Sequence, residues 1–126
     1  MSQRRILLVD DSRVVHELAR VALETVAGWQ MASVESADQA VPAAIAQRPD
    51  AIVVDVVMPD VDGPATVRLL REDPATRDIP IVFLTAQDDP SERDRLEHMD
   101  VAGVLRKPFE VSMLAGEITS MLNWDA

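Results

Sequence analysis

Short runs of branched apolar residues recur along the chain and alternate with longer amphipathic stretches. Four strong runs cover residues 5–10, 51–55, 79–85 and 102–107, and a weaker run covers residues 30–34. Unbroken apolar runs of this length are typical of strands that are covered on both faces, as in a parallel sheet. The pattern therefore predicts five strands.

The stretches between these runs have the spacing of amphipathic helices. They cover residues 13–27, 37–47, 64–72, 90–98 and 110–122. Proline begins the third and the fourth stretch, which suits a first helical turn. Pro42 lies inside the second stretch, so this helix is predicted either to kink there or to start later.

Two of the predicted helices have a well-defined apolar face of the kind that contacts a core. In the first helix, for which Asp11 or Ser12 is available as the N-cap, this stripe consists of Val14, Leu18, Val21, Ala22 and Val26. In the last helix the face consists of Val111, Leu114, Ile118, Met121 and Leu122.

Strand and helix alternate five times, and this order defines the fold class. The alternation predicts an α/β protein with a parallel sheet and helices on both faces. Right-handed crossovers make the arrangement doubly wound. The chain of 126 residues has the usual length of one domain, so residues 1–126 are predicted to form a single domain.

The composition excludes several functional classes. The chain has 22 acidic and 12 basic residues and a formal net charge of −10, which argues against binding to nucleic acid or to an anionic membrane. It has no cysteine, which excludes disulfides and Cys-ligated zinc. No apolar run approaches the roughly 18 residues of a membrane span, and none has the form of a signal peptide. We therefore expect a soluble protein of the cytoplasm.

Four of the predicted strands end in polar side chains: Asp10 followed by Asp11, Asp55, Thr85 and Lys107. Because ligands of doubly wound sheets bind beyond the carboxyl ends of the strands, these side chains are predicted to converge on one edge. An ordinary solvated strand end explains any one of them equally well. Four strands that all end in such side chains on one edge of the sheet are harder to explain as ordinary solvated strand ends.

This combination favours phosphoryl chemistry assisted by a divalent cation. Three close carboxylates repel one another, and a bound cation relieves the repulsion. Oxygen ligands of this kind suit Mg²⁺, which commonly binds beside phosphate. A hydroxyl and an ammonium are suitable partners for phosphoryl oxygens, and an aspartate can itself be the nucleophile. The residues alone do not identify which aspartate that is.

Four segments resemble the receiver domain of bacterial two-component response regulators, and the resemblance extends from about Arg5 to Leu122. The segments are Leu7-Leu8-Val9-Asp10-Asp11-Ser12, Val54-Asp55-Val56-Val57-Met58-Pro59-Asp60-Val61-Asp62-Gly63, Phe83-Leu84-Thr85-Ala86 and Lys107-Pro108-Phe109. Their order and spacing together are highly specific. The resemblance implies a flavodoxin-like (βα)5 three-layer sandwich with parallel strands in the order 2-1-3-4-5.

The resemblance also implies a role for each site residue. Asp55 matches the phosphoacceptor, Thr85 the hydroxyl that bonds the phosphoryl group, and Lys107 the ammonium that pairs with it. The implied oxygen ligands of Mg²⁺ are Asp10, Asp11, Asp55 and the backbone carbonyl of Val57. In this family the Lys107–Pro108 peptide bond is usually cis.

By the same resemblance we expect a signalling switch rather than an enzyme with a separate substrate, either as a stand-alone receiver or as a fragment of a longer protein. A sensor histidine kinase or a histidine phosphotransfer protein would donate the phosphoryl group to Asp55 and dock near Arg13, Val14 and Val15. We expect a downstream protein target, and we expect no DNA-binding output domain. A monomer, or a dimer that forms on phosphorylation, is expected.

Two residues depart from the family pattern. Val104 stands where the family often has an aromatic residue that moves with the threonine, so this part of the switch is missing. Val57 stands where many receivers have a polar group near the attacking water. We predict that Val57 alters the lifetime of the phosphorylated state.

Two other functions are compatible with parts of the sequence. One is an interaction module that no longer accepts phosphoryl groups, which the absence of an aromatic residue at Val104 favours. The other is a phosphohydrolase of the haloacid-dehalogenase type, which would need a second aspartate where Val57 stands. His16, His98, Trp29 and Trp124 are interpreted as surface or packing residues.

Overall fold

The computed structural model describes residues 3–58, 62–86 and 89–124. Its five strands are β1 (Arg5–Val9), β2 (Gln30–Val34), β3 (Ala51–Asp55), β4 (Ile81–Thr85) and β5 (Gly103–Arg106). They pair in parallel in the order β2-β1-β3-β4-β5. The predicted fold class and strand order are confirmed. Pro59, Asp60 and Val61, which belong to the second resembling segment, lie outside the described residues.

The described residues include five α-helices, of which the first four lie between consecutive strands and the fifth follows β5. They are α1 (Arg13–Arg20), α2 (Ala40–Gln47), α3 (Gly63–Glu72), α4 (Pro90–Glu97) and α5 (Leu114–Met121). A π-helical segment, Val21–Val26, continues α1, and a 3-10 turn, Ala37–Gln39, precedes α2. Pro42 is the third residue of α2, where its missing N–H is not needed, so the later start predicted for this helix is confirmed. None of the described helices is long and apolar enough to cross a membrane.

Side-chain caps determine where three of the helices begin. Ser12, Asp62 and Asp89 each accept a hydrogen bond from a backbone N–H in the first turn of α1, α3 and α4, at 3.3, 2.9 and 3.0 Å. Caps of this kind contribute about 1 kcal/mol each. Because these helices follow β1, β3 and β4, the three caps lie on the side of the sheet where those strands end.

Two apolar clusters lie on opposite faces of the sheet. Leu7, Ile52 and Phe83 contribute to the cluster that packs against α2, α3 and α4. Their strand neighbours, such as Ile6 and Val53, contribute to the cluster against α1 and α5. Each fully buried branched side chain contributes about 1.5–3 kcal/mol, so the unbroken apolar runs stabilise both layers at once.

The apolar stripe predicted for the first helix is wrong. Of its five members only Ala22 is buried, whereas Val14 is 68% exposed and Val26 is 54% exposed. The residues that face the sheet are instead Ala19, Ala22 and Leu23. The helix has two apolar stripes, and spacing alone does not tell which one contacts the core. The small alanines on the inner stripe allow the helix to lie close to the sheet.

The apolar face predicted for the last helix is confirmed. Leu114 and Ile118 are buried in the cluster shared with α1. Val111, Met121 and Leu122 are partly buried and pack against the same cluster.

Candidate functional site

The chemically active residues predicted from the sequence meet at the carboxyl edge of the sheet. Asp10 directly follows β1, Asp55 ends β3, Thr85 ends β4, and Lys107 directly follows β5. These four strands are neighbours in the sheet and run in parallel, which brings their ends together. We call Asp10, Asp11, Asp55 and Lys107 the acidic pocket.

Three carboxylates of the acidic pocket lie close enough to share one cation. One oxygen from each of Asp10, Asp11 and Asp55 lies within 4.8 Å of the other two. Asp10 is fully buried and Asp55 is 4% exposed, whereas Asp11 is exposed at the mouth. A set of oxygen donors with one open side fits Mg²⁺, which keeps part of its water shell.

Lys107 bridges the two buried carboxylates. Its Nζ lies 3.1 Å from Asp10 Oδ2 and 3.2 Å from Asp55 Oδ1. The ammonium therefore partly neutralises two negative charges that are largely shielded from water. The peptide bond between Lys107 and Pro108 is cis, as the family resemblance implies.

Burial and the neighbouring charges shift the pKa of both groups. Burial raises the pKa of the Asp55 carboxyl above its usual range, and the charge of Asp10 raises it further, against the opposing effect of Lys107. Burial lowers the pKa of the Lys107 ammonium, but the two carboxylates outweigh it and the pKa is raised. Lys107 is therefore charged at neutral pH.

Backbone contacts hold Asp10 in place. Its Oδ1 accepts a hydrogen bond of 2.7 Å from the Ser12 N–H, and its own N–H donates to the Val34 carbonyl at 3.2 Å. The His16 Nε2 contacts the carbonyl oxygen of Asp10. The sequence analysis treated His16 as a surface or packing residue and missed this contact. Its spacing of six residues from Asp10 was the only available signal.

Gly63 allows α3 to begin very close to Asp55. A Cβ at this position would lie 2.7 Å from the Val56 Cα and 2.9 Å from the Asp55 carbonyl oxygen. The Gly63 N–H donates to the Val56 carbonyl at 2.8 Å, which joins the helix to the end of β3. The sequence analysis placed this glycine in a motif without finding the close approach that requires it.

The acidic pocket opens to solvent on one side. The opening is lined by Asp11, Asp55, Val57, Ala86 and Lys107. Val57 is 63% exposed, and its N–H donates to Asp55 Oδ1 at 3.4 Å. Asp10 and Thr85 are buried and do not line the opening. Asp55 is thus the buried carboxylate that an entering molecule can reach.

Val104 fills a core position on β5. It is 2% exposed, and its register partner on β4 is the buried Phe83. Its side chain belongs to the cluster that packs against α2, α3 and α4. A short aliphatic side chain here offers no ring that could alternate between the core and the surface.

Comparison with known proteins identifies relatives along nearly the whole chain. The sequence model described as response regulator receiver domain matches residues 6–119. The phosphate regulon transcriptional regulatory protein PhoB of Pseudomonas aeruginosa is 32% identical over 124 residues, which cover 97% of this chain and 53% of that protein. The chain spans about half the length of the curated relatives it matches.

Solved structures have the same fold. A response regulator from Desulfuromonas acetoxidans superposes with a TM-score of 0.85 at 27% identity, covering 95% of this chain and 97% of that chain. The receiver domain of a sensor histidine kinase from Pseudomonas aeruginosa superposes with a TM-score of 0.83 at 30% identity, covering 97% and 99%. That structure is described with a magnesium ion coordinated in the active-site cleft.

Proposed function

The chain belongs to the response regulator receiver family, and from that premise we propose that it accepts a phosphoryl group on Asp55 with the help of Mg²⁺. The position of Lys107 carries the proposal, because its Nζ lies 3.2 Å from Asp55 Oδ1 and 3.1 Å from Asp10 Oδ2. A compact and mobile cation thus stands beside the buried carboxylate that faces the opening. Asp55 is the nucleophile, and Asp10 and Asp11 are metal ligands.

The acidic pocket would hold the Mg²⁺ with oxygen atoms alone. Asp10, Asp11 and Asp55 would supply carboxylate oxygens, and Val57 would supply its backbone carbonyl. When bound, the ion neutralises the carboxylates and stabilises negative charge on the phosphoryl oxygens. The three carboxylate oxygens within 4.8 Å of one another support this assignment.

The transfer forms one bond and breaks another. A carboxylate oxygen of Asp55 bonds to phosphorus while the bond between phosphorus and the imidazole nitrogen of a phosphohistidine donor breaks. The electron pair of the broken bond stays on that nitrogen. Lys107 then pairs with a phosphoryl oxygen, and the Thr85 hydroxyl donates a hydrogen bond to another.

The product acts as a signal rather than as a released compound. The chain promotes its own phosphorylation and dephosphorylation only, and the modified Asp55 shifts an existing conformational equilibrium. Because Val104 is a small residue in the core, the shift is transmitted without an aromatic side chain at that position. The proposed place of action is the cytoplasm, where histidine kinases meet ATP.

The outer stripe of α1 is the proposed docking surface for the phosphodonor. Val14, Leu18 and Val21 are exposed along one side of a helix that begins just after Asp11. Exposed apolar surface of this kind marks contact sites for other proteins. A sensor histidine kinase or a histidine phosphotransfer protein seated there would bring its phosphohistidine to the opening.

Intact mass after incubation with Mg²⁺ and acetyl phosphate tests the proposal. We expect the wild type and Asp50→Asn, a matched change at the far end of the sheet, to gain one phosphoryl group. Asp55→Asn should gain none. Gain by Asp55→Asn would show another acceptor. No gain by the wild type, repeated with a panel of histidine kinases, would favour the interaction module.

A second experiment tests the docking surface separately. Val14→Glu should slow phosphoryl transfer from a kinase by about tenfold or more, because it buries a charge in the contact, without changing transfer from acetyl phosphate. Val26→Glu is the control, since Val26 is also exposed but lies at the far end of the π-helical segment. Equal slowing by both variants would contradict the assignment.

A further inference from the structure

The opposite end of the sheet, where the strands begin, has two adjoining depressions. One is polar and is lined by Gln3, Arg4, Arg5, Gln30, Arg48 and Asp50. The other is mainly apolar and is lined by Ala44, Ile45, Arg48, Pro49, Ala75 and Ile79. Arg48 lines both, so they form one continuous surface, which we call the basal surface.

We propose that the basal surface binds an acidic peptide segment of a partner protein. Carboxylates of the segment would contact the arginines, and a neighbouring apolar side chain would occupy the groove. The inference does not depend on phosphoryl chemistry, since the acidic pocket lies at the other edge of the sheet.

The positive charge of the basal surface is poorly balanced. Within the part of the chain that the structure describes, the Arg48 side chain makes no hydrogen bond or ion pair. Among the described residues, Asp50 is the only acidic residue that lines the polar depression, and its Oδ2 already accepts a hydrogen bond from the Arg5 N–H at 2.8 Å. Within that described part, three guanidinium groups therefore face one carboxylate, on a chain whose net charge is −10. This local excess is complementary to an acidic ligand.

Two of the arginines are already held in position. The Arg5 Nε and Nη2 donate to Gln30 Oε1 at 3.2 and 3.1 Å, and its Nη1 donates to the Gln47 carbonyl at 2.8 Å. These bonds use three of the five N–H groups of a guanidinium, which leaves about two for a ligand carboxylate. The Arg4 guanidinium lies 4.3 Å from the ring centroid of Trp124. Side chains that are ordered beforehand lose less entropy on binding.

The backbone conformation of Arg48 supports a functional role for its side chain. Arg48 ends α2 with φ 49° and ψ 59°, in the left-handed region. Glycine adopts this conformation at helix ends without the roughly 1–2 kcal/mol penalty that other residues incur. An arginine at this position therefore lowers stability relative to glycine, and a ligand that binds its guanidinium would explain why it stands there.

The apolar groove suits a side chain of a surface-bound peptide. Its volume is about 390 Å³, within the range of ligand sites, and it is open to solvent. Ala44 and Pro49 form buried walls, and Ile45 is exposed at its edge. Because Arg48 separates the groove from the other arginines, one short segment can reach both.

Intrinsic fluorescence gives a direct readout of binding. The chain has two tryptophans: Trp124 lies against Arg4, and Trp29 makes an edge contact with Trp124 at 5.8 Å between ring centroids. The probe is the capped hexapeptide Glu-Leu-Glu-Glu-Leu-Glu, titrated into the full chain at fixed low ionic strength. The same peptide with glutamine in place of glutamate is the peptide control.

The variants separate the arginines and the groove from general charge effects. Arg48→Glu should weaken binding by about tenfold or more, and Ile45→Ser by about threefold. Arg68→Glu changes charge equally on an exposed arginine of α3 and should stay within about twofold. Asp55→Asn should bind like the wild type. Circular dichroism confirms folding, and Arg48→Gln should give an intermediate loss.

Three results would overturn the proposal. One is the absence of binding of the acidic peptide to the wild type. Another is equal binding to the wild type and to folded Arg48→Glu and Arg48→Gln. The third is tighter binding of dodecanoate or of a single-stranded oligonucleotide than of the peptide, which would assign the surface to a different class of ligand.

Discussion

Acidic and basic side chains occur at both ends of the sheet, but only one end removes them from water. At the carboxyl end Asp10 is fully buried, Asp55 is 4% exposed, and Lys107 joins them. At the opposite end Arg5, Arg48 and Asp50 are exposed. The two ends use the same chemical groups in very different environments.

The difference supports the proposal that the carboxyl end is the site of phosphoryl chemistry. Burial strengthens the interactions among these charges. Burial raises the pKa of Asp55, and the two carboxylates raise the pKa of Lys107 against the opposing effect of burial. The exposed charges at the other end are screened by water and by salt, so they are suited to the proposed binding rather than to reactivity. The predictions below change matched residues at the two ends.

Replacement of a positively charged side chain should have the largest effect on stability. We expect this effect at the carboxyl end of the sheet and not at the opposite end. Lys107→Met leaves two buried carboxylates without their partner, so we expect the free energy of unfolding at neutral pH to fall by roughly 3 kcal/mol without metal. Added Mg²⁺ should restore part of the loss. Arg48→Met should change the same quantity by less than about 0.5 kcal/mol. Urea unfolding measures both, and equal losses would contradict the comparison.

Two glycine substitutions test the close approach at the acidic pocket. Gly63→Ala should lower the free energy of unfolding by about 1–3 kcal/mol and slow phosphorylation, because its Cβ would meet the end of β3. Gly116→Ala on α5 meets nothing within 4 Å and should raise stability by about 0.5–1 kcal/mol. Thermal and urea unfolding measure the stability of both variants. If Gly63→Ala were as stable as the wild type, α3 would be able to move away from the end of β3.

The two ends should differ in how stability depends on pH. The pKa of Asp55 is raised in the folded state, so folding favours the protonated carboxyl. The stability that the protonated carboxyl provides is lost as the pH rises through the folded-state pKa. Asp55→Asn should therefore stabilise the protein at neutral pH by on the order of 1 kcal/mol, and this gain should disappear below about pH 4.

Asp50→Asn is the matched change at the other end. It weakens the acceptor of the Arg5 N–H and should lower stability at neutral pH by about 0.5–1 kcal/mol. Unfolding free energies measured between acidic and neutral pH compare the two variants. A higher free energy of unfolding for Asp50→Asn, or a lower one for Asp55→Asn at neutral pH, would contradict the expected difference between the two ends.

The smallest expected effect concerns the lifetime of the phosphoryl group on Asp55. An amide at position 57 can hydrogen-bond an attacking water, which valine cannot, so Val57→Asn should speed dephosphorylation by about two- to tenfold. Val14→Asn, an equivalent change on exposed α1, is the control. Loss of phosphoryl label over time measures the rates, and equal rates in all three proteins would show that Val57 has no role.

Much of the fold could be predicted because its signals are local. Four of the five strands contain an unbroken apolar run, and the polar residues at their ends identify the edge where the site forms. The family resemblance added the strand order and singled out Asp55. The first helix was different, because its two apolar stripes are equivalent in sequence and only packing shows that Ala19 and Leu23 face the sheet.

Contacts between distant segments could not be predicted from these patterns. The close approach of Gly63 to Asp55 depends on how α3 meets β3. The contact of His16 with the Asp10 carbonyl depends on the turn between β1 and α1. The basal surface brings together residues from four parts of the chain, and Arg48 lies far in the sequence from Arg4 and Arg5.

Identification of the phosphorylated residue tests the central claim most directly. The chain is phosphorylated with acetyl phosphate and Mg²⁺, treated with borohydride to reduce any acyl phosphate to an alcohol, and digested for sequencing by mass spectrometry. We predict homoserine at position 55 and unchanged aspartate at positions 10 and 11. Homoserine at position 10 or 11, or unreduced aspartate at all three positions in a phosphorylated protein, would contradict the assignment of Asp55 as the acceptor.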